Sequence, residues 1–173
     1  VMKKKISLIL CLIILIYAAA PMASVKAAPA YTITQHKSEE SEAFLWDSLN
    51  ANSPTEELTA AILGFFWRES FFQSNAVAYY KLYKEDINTI FTDKVDEGLE
   101  DGSTKEYFIQ QVQKYGGYGL GQWYSPYYLE AFYDFAQEWG TSIADAEMQC
   151  MFTLWSIQNQ LPKYIELLGE YDN

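Results

Sequence analysis

Hydrophobic residues along most of the chain recur at the three- and four-residue spacing of amphipathic helices. Residues 39 to 49 carry the first such stripe. A second helix is predicted to begin at the capping box Ser53-Pro54-Thr55-Glu56, with Pro54 at its first position, and to end near Glu69. The apolar positions of these two segments are Phe44, Leu45, Trp46, Leu49, Leu58, Ile62, Phe65 and Phe66.

The rest of the chain carries further helical patterns. They cover 107 to 114, 129 to 139 with Gly140 as the stop, 143 to 160, and 161 to 168 after Pro162. Residues 73 to 85 are mixed and rich in tyrosine (Tyr79, Tyr80, Tyr83), and 86 to 105 predict an irregular stretch with one short helix. Because the alternation typical of strands is weak throughout, the sequence predicts a mainly α fold.

The N-terminus has the pattern of a secretory signal peptide. Three lysines at 3 to 5 precede an apolar run from Ile6 to Ala20, and Ala-x-Ala-like sites follow at 25–27 and 28–30. The run is shorter than the roughly 20 residues of a membrane span, although an uncleaved anchor stays an alternative. We therefore expect a secreted protein with a leader at 1–27, a linker at 28–42 and one domain at 43–173.

Charge narrows the range of partners. Loss of the leader would leave eight basic residues against 23 acidic ones, a net charge of −15. Such a surface repels nucleic acid and anionic wall polymers, so we expect no nucleic-acid partner. A neutral glycan bound through aromatic side chains is affected less, and aromatic residues make up 17% of the chain.

Cofactor and metal chemistry is not expected. Without the leader only Cys150 remains, in an apolar helical run where a small buried hydrophobe is the favoured interpretation. The single histidine, His36, lies in the polar stretch after the leader and so argues against Cys-His catalysis, and no Cys/His cluster has metal-ligand spacing. An acidic run lacks the spacing of a calcium loop and indicates a solvated loop, although it could hold a second carboxylate: Asp93, Asp96, Glu97, Glu100 and Asp101.

Glu69 is the candidate general acid. On a helical projection it falls within a narrow arc of Leu58, Ile62 and Phe65, so it is predicted to extend the apolar face. It also lies in the last turn of the helix, where the dipole disfavours negative charge. Both features favour proton donation near neutral pH, although a glutamate that extends into solvent from a frayed helix end has the same pattern.

A glycine-rich turn supplies a candidate sugar-binding surface. Glycines at 116, 117, 119 and 121 exclude a helix interior and allow a ligand to approach the backbone. Around them lie stacking rings and an amide, the mixture that binds pyranoses: Tyr118, Gln122, Trp123 and Tyr124. The alternative is a tight turn closed by core aromatics.

Glu69-Ser70 followed by Gly117-Tyr118-Gly119-Leu120-Gly121-Gln122-Trp123 resembles the phage-tail lysozyme family of the goose-type lysozyme and lytic transglycosylase superfamily. Blocks at 60–64, 75–77 and 147–155 extend the resemblance to roughly 43–168. It implies a lysozyme-like single domain with Glu69 as catalytic acid and Gly119 and Gln122 in contact with substrate. Ser70, Tyr118, Trp123 and Tyr124 are the further candidate substrate contacts.

The chain departs from the family pattern at several places. Phe71 stands where the family usually has Gly, Ser74 where Pro is common, and no cation lies between Trp123 and Leu129. The chain also stops at Asn173, short of where such domains usually close, which leaves a truncated domain open.

The resemblance implies cleavage of the β-1,4 bond between N-acetylmuramic acid and N-acetylglucosamine in peptidoglycan by a monomer without a cofactor. Muramidase and lytic transglycosylase outcomes both stay open. The alternatives are a catalytically silent module that binds wall glycan, and an all-α interaction domain in which Glu69 is fully solvated.

Overall fold

The computed structural model describes residues 31–33, 39–77 and 85–170, with side chains through 159 except at 85 and 86. The predicted leader, His36 and the cluster of Tyr79, Tyr80 and Tyr83 lie outside the described residues.

The mainly α prediction is confirmed. Within the described ranges there are six helices and no strand beyond isolated bridges: α1 Glu39–Asn50, α2 Glu56–Ser70, α3 Glu85–Asp96, α4 Lys105–Tyr115, α5 Pro126–Trp139 and α6 Ala146–Glu170. None of these helices is long and apolar enough to cross a membrane.

The start of α2 differs from the predicted capping box. The cap is Thr55, which has an extended backbone and whose hydroxyl oxygen accepts from the N–H of Leu58 at 3.2 Å. The Ser53 hydroxyl instead donates to the Thr55 carbonyl at 2.9 Å. Pro54 therefore precedes the cap and does not occupy the first helical position.

Two further helices are longer than predicted. The stretch expected to be mostly irregular begins with the 12-residue helix α3 and continues through turns to Thr104. Helix α6 begins at Ala146, because Asp145 caps it by accepting from the N–H of Met148 at 2.7 Å. It continues past Pro162 to Glu170, where the sequence predicted two segments.

The described residues as far as Thr153 form one compact unit, and those from Leu154 onward belong to a second. In the second unit, the side-chain amide of Asn159 donates to the Trp155 carbonyl at 2.8 Å.

Aromatic rings fill the core of the larger unit. The ring of Phe108 on α4 lies 5.9 Å from Phe132 on α5, 6.2 Å from Phe91 on α3 and 5.5 Å from Tyr118 in the glycine-rich turn, measured between centroids. Phe108, Phe132 and Tyr118 are fully buried. Three helices and the turn thus share one core, and Cys150 is buried as predicted.

The predicted linker region includes a short segment bonded to the larger unit. The N–H of Tyr31 donates to Asp145 Oδ2 at 2.8 Å. The Ser74 hydroxyl accepts from the N–H of Ile33 at 2.9 Å, and the Ile33 carbonyl accepts from the N–H of Ser74 at 2.9 Å. Ser74 therefore holds this segment in place from the stretch that follows α2.

Asp96, at the end of α3, is predicted to make stability depend on pH. Burial raises the pKa of Asp96 above its ordinary value of 3.8, and hydrogen bonds from Ser142 and from the N–H of Ile143 oppose that shift. A carboxyl group with a raised folded-state pKa stabilises the fold fully below its unfolded-state pKa, and this contribution is lost as pH rises through the folded value. Asp96→Asn should therefore gain free energy of unfolding relative to wild type as pH rises from about 3 to about 7.

Urea unfolding across that pH range measures the difference. Asp47→Asn is the control, since Asp47 is exposed on α1 and its variant should follow the wild-type pH dependence. A difference between Asp96→Asn and wild type that stays constant with pH would contradict this expectation.

Candidate active site

Glu69 lies at the border between the buried stripe of α2 and its solvent-facing side. The buried positions of α2 are Thr59, Ile62, Leu63, Phe66 and Ser70. Phe65, predicted to be buried, is 43% exposed, and the Glu69 side chain is 35% exposed. The stripe follows the spacing of Ile62, Phe66 and Ser70, so Phe65 and Glu69 lie together along its edge, one turn apart.

The charged neighbour of Glu69 is Arg68, which forms a long and exposed ion pair with it. Arg68 Nε lies 4.0 Å from Glu69 Oε1, and the Arg68 side chain is 86% exposed. An ion pair of this kind contributes little to stability, and the Glu69 carboxylate is accessible because its side chain is 35% exposed.

The chain leaves α2 through two consecutive left-handed residues. Phe71 has φ 51° and Phe72 has φ 67°. The N–H of Phe71 closes the helix on the Trp67 carbonyl at 3.1 Å. Glycine is the usual residue at a left-handed cap of this kind. Here the Phe71 ring meets Trp67 edge-on at 4.9 Å, and Phe72 is buried.

A buried segment then connects the end of α2 with the glycine-rich turn. Gln73, Ser74, Asn75 and Ala76 are all 1% exposed or less. The carbonyl of Ala76 accepts from the N–H of Gly119 at 2.8 Å and from the side-chain amide of Gln122 at 3.1 Å. Val77 forms an isolated antiparallel bridge with Tyr118. The glycine-rich turn is therefore hydrogen-bonded directly to the segment that follows Glu69.

Within the turn, Tyr118 and Trp123 pair in both directions. Each donates its N–H to the carbonyl of the other at 3.1 Å. The Gln122 side-chain amide also donates to the Gly119 carbonyl at 2.9 Å, and Gln122 itself has a left-handed φ of 47°. The amide predicted to contact sugar is therefore bonded within the turn, and its side chain is half-buried.

Gly121 brings the turn against α2. A Cβ added at Gly121 would lie 2.8 Å from the Trp123 ring and 3.2 Å from Phe65 Cε1. Glycine is required here because of space, since a side chain would collide with Trp123. The contact places Phe65, one helical turn before Glu69, beside the aromatic face of the turn.

Two predicted substrate contacts are fully buried. The Ser70 hydroxyl donates to the Phe66 carbonyl at 3.1 Å. The Tyr118 hydroxyl shares a 2.8 Å hydrogen bond with Thr92, and burial raises the pKa of Tyr118 well above its usual value. Both residues are 0% exposed, so their side chains support the site from within the core.

The other predicted contacts are more accessible. Tyr124 is 52% exposed, and Trp123 is half-buried with its ring against Phe132 at 4.9 Å and Phe152 at 5.3 Å. Gly119 is buried. The exposed or half-buried residues at the end of α2 and at the turn are Phe65, Glu69, Trp123 and Tyr124; we refer to these four residues, the candidate ligand surface, as the aromatic groove.

Sequence reasoning missed the roles of Phe65 and Gln149. Phe65 was assigned to the core because apolar residues on a helix usually are. Gln149 is fully buried on α6 beneath the turn, and a Cβ at Gly119 would lie 2.6 Å from its Oε1. The available signal was an amide among Met148, Cys150 and Met151, where a buried polar group needs partners.

Among the described residues, no group of three or more His, Cys, Asp or Glu side chains could hold a metal ion. The acidic run that begins in the last turn of α3 is partly used in local hydrogen bonds. Asp96 accepts from the N–H of Ile143 at 3.0 Å, and Asp101 accepts from the N–H of Ser103 at 2.9 Å.

Residues 40–173 match a family model described as phage tail lysozyme. No curated protein and no solved structure matches the chain.

Gly119 and Gly64 form a matched pair for testing the turn. Gly119 has φ 73° and presses on Gln149, whereas a Cβ added at Gly64, on α2, would meet no atom of the described residues within 4 Å beyond its own stretch of helix. Gly119→Ala should lose about 1–3 kcal/mol of the free energy of unfolding through strain and overpacking. Gly64→Ala should gain about 0.5–1 kcal/mol, since alanine favours a helix interior.

Both values are measured by urea unfolding. A Gly119→Ala variant as stable as wild type would mean that the turn does not press on Gln149.

Proposed function

The chain belongs to the phage tail lysozyme family, and we propose that it is a peptidoglycan glycosidase in which Glu69 is the general acid. The bond cleaved would be the β-1,4 linkage between N-acetylmuramic acid and N-acetylglucosamine. The protein would act as a secreted monomer at the cell wall, after removal of the predicted leader.

One observation carries this proposal: Gly121 lies against both Trp123 and Phe65, and Phe65 is one helical turn before Glu69 on α2. A carboxyl group that is 35% exposed can reach a ligand, and Phe65, one helical turn before Glu69, exposes an aromatic ring. A glycan strand needs such an arrangement, because sugar faces stack on rings while the acid approaches the glycosidic oxygen.

In this reaction Glu69 would donate its proton to the leaving oxygen, and positive charge would develop on the sugar ring. The bond between the anomeric carbon and the leaving oxygen breaks, and the anomeric carbon forms a new bond either to water or to an internal group of the substrate, its acetamide or its 6-hydroxyl. Asp96 and Asp101, two candidates for a second carboxylate, are held in local hydrogen bonds. Product mass spectrometry separates the outcomes, since an anhydro terminus identifies a lytic transglycosylase.

A second candidate function is glycan binding without turnover. It is favoured by the residues that follow Glu69. Phe71 and Phe72 both hold left-handed backbone conformations, and Phe71 stands where the resemblance leads us to expect glycine. In this case the aromatic groove would bind wall glycan, but the Glu69 carboxyl group would not lie within reach of the glycosidic oxygen. Binding to wall material without release of products would identify such a module.

Glu69→Gln should abolish lysis while preserving the fold. The amide keeps the volume of the side chain but cannot donate a proton to a leaving oxygen, so activity should fall on the order of 10²–10⁴-fold. Zymography on purified wall material and product release measure it.

Glu57→Gln is the matched control, because Glu57 is exposed in the first turn of the same helix. Its activity should equal that of wild type. Lysis that survives Glu69→Gln would remove Glu69 as the acid.

Glycan binding should depend on exposed rings more than on charge. Trp123 packs against core aromatics, so Tyr124→Ala and Phe65→Ala are the cleaner variants. Each should weaken binding of N-acetylglucosamine oligomers by about 1–3 kcal/mol, the range for burying a large apolar side chain. Affinity should change little with added salt, since screening acts on exposed charge pairs.

Ile90→Ala serves as the control, because Ile90 is 66% exposed on α3 and should not affect binding. Isothermal titration at low and physiological salt gives both readouts. A steep loss of affinity with salt would point to Lys and Arg contacts outside the aromatic groove.

A further inference from the structure

We infer that Gln149 is a positioning residue of the active site: its side-chain amide fixes the glycine-rich turn relative to the segment that follows Glu69. The kinetic test of this inference rests on the proposed function, whereas its structural test depends on the contacts of Gln149 alone.

The hydrogen bonds of Gln149 join three separate parts of the chain. Its Oε1 accepts from the N–H of Leu120 at 2.7 Å. Its Nε2 donates to the Ser74 carbonyl at 2.7 Å and to the Ile143 carbonyl at 2.8 Å. One side chain thus connects the glycine-rich turn, the segment after α2 and the segment before α6.

The chemistry of these contacts specifies an amide. The site requires one acceptor and two donors in a fully buried position, and the side chain of glutamine supplies all three. A carboxylate in the same place would face two carbonyl oxygens, and an apolar side chain would leave three backbone groups without a partner.

Gly119 shows how closely the turn approaches this amide. An added Cβ would lie 2.6 Å from Gln149 Oε1 and 3.0 Å from its Cδ. The turn therefore rests directly on the amide, and Ser74 is five residues beyond Glu69. Without the amide, the described backbone and side-chain contacts between the turn and the segment after Glu69 would be the bonds from Gly119 and Gln122 to the Ala76 carbonyl and the bridge between Val77 and Tyr118.

Gln149 does not reach solvent, so its effect on catalysis would pass through the geometry of the aromatic groove. A displacement of about 1 Å between an acid and its bond can cost on the order of 10²-fold in rate. Loss of the amide should therefore lower kcat more than it changes KM.

The experiment compares Gln149→Met and Gln149→Glu with wild type, with Gln137→Met as the matched control. Gln137 also donates its amide to a loop carbonyl, that of Glu100 at 2.9 Å, but it is on α5 and outside the aromatic groove. Folding is checked by circular dichroism, and kcat and KM are measured on solubilised peptidoglycan across pH.

For folded Gln149→Met we expect kcat to fall by roughly 10–100-fold with KM within about threefold of wild type. Gln137→Met should match wild type. Gln149→Glu should be most active at low pH, where the protonated acid keeps one donor and one acceptor, and its kcat should fall as the buried carboxyl ionises. This added dependence on pH should be absent from wild type and from Gln149→Met.

If Gln149→Met does not fold, the pH profile of Gln149→Glu, taken where circular dichroism shows it folded, decides the question. Wild-type kcat in folded Gln149→Met, or a Gln149→Glu profile equal to that of wild type, would overturn the inference.

An inactive wild-type protein would instead refute the proposed function. The inference is then judged by amide NMR and by binding of N-acetylglucosamine oligomers. Gln149→Met should shift the Leu120 amide and the Trp123 indole and weaken binding, whereas unchanged signals and affinity would overturn it.

Discussion

The burial of Tyr118 is the constraint on which the rest of the site depends. Its ring lies in the aromatic core, 5.5 Å from Phe108 and 5.6 Å from Phe91, and its hydroxyl bonds Thr92 on α3. Its backbone pairs with Trp123 in both directions and bridges to Val77. Because both the side chain and the backbone of Tyr118 are held by these contacts, the position of the turn around it is fixed. The turn is therefore an extension of the core.

This constraint explains the glycines around Tyr118. With the ring fixed inside, the backbone on either side must pass close to Gln122, Gln149 and Trp123, and side chains at 117, 119 and 121 would collide with them. The residues that follow are correspondingly free to face outward, as Tyr124 does. The same anchoring that buries one aromatic residue of the motif therefore presents another to solvent.

The helices could be predicted because each buries one stripe of apolar residues at regular spacing. Other features depend on contacts that no local pattern contains. Ser53 and Thr55 are both good helix caps, and what distinguishes them is the extended backbone of Thr55 and the hydrogen bond that its hydroxyl accepts from Leu58. Phe65 has the pattern of a core residue, but what lies beside it is a glycine of the turn 56 positions later in the chain.

The same limit applies to the site. Glu69 and the glycine-rich turn were visible as motifs, whereas Ser70 and Tyr118 could not be separated from the exposed residues beside them. Two of the three partners of the Gln149 side chain, Leu120 and Ser74, lie 29 and 75 residues away, so its role became apparent only from the assembled structure.

The helix end beside Glu69 has a consequence for conformational entropy. Glycine at a left-handed cap relieves native strain, but it leaves the unfolded chain with more states to lose on folding. Phe71 reverses this balance: the native backbone is strained, the unfolded chain has less freedom, and the ring packs on Trp67. The helix cap next to Glu69 is therefore stabilised by the ring contact between Phe71 and Trp67 and by the smaller backbone freedom of Phe71 in the unfolded chain. An ordered cap depends on these two rings staying in contact.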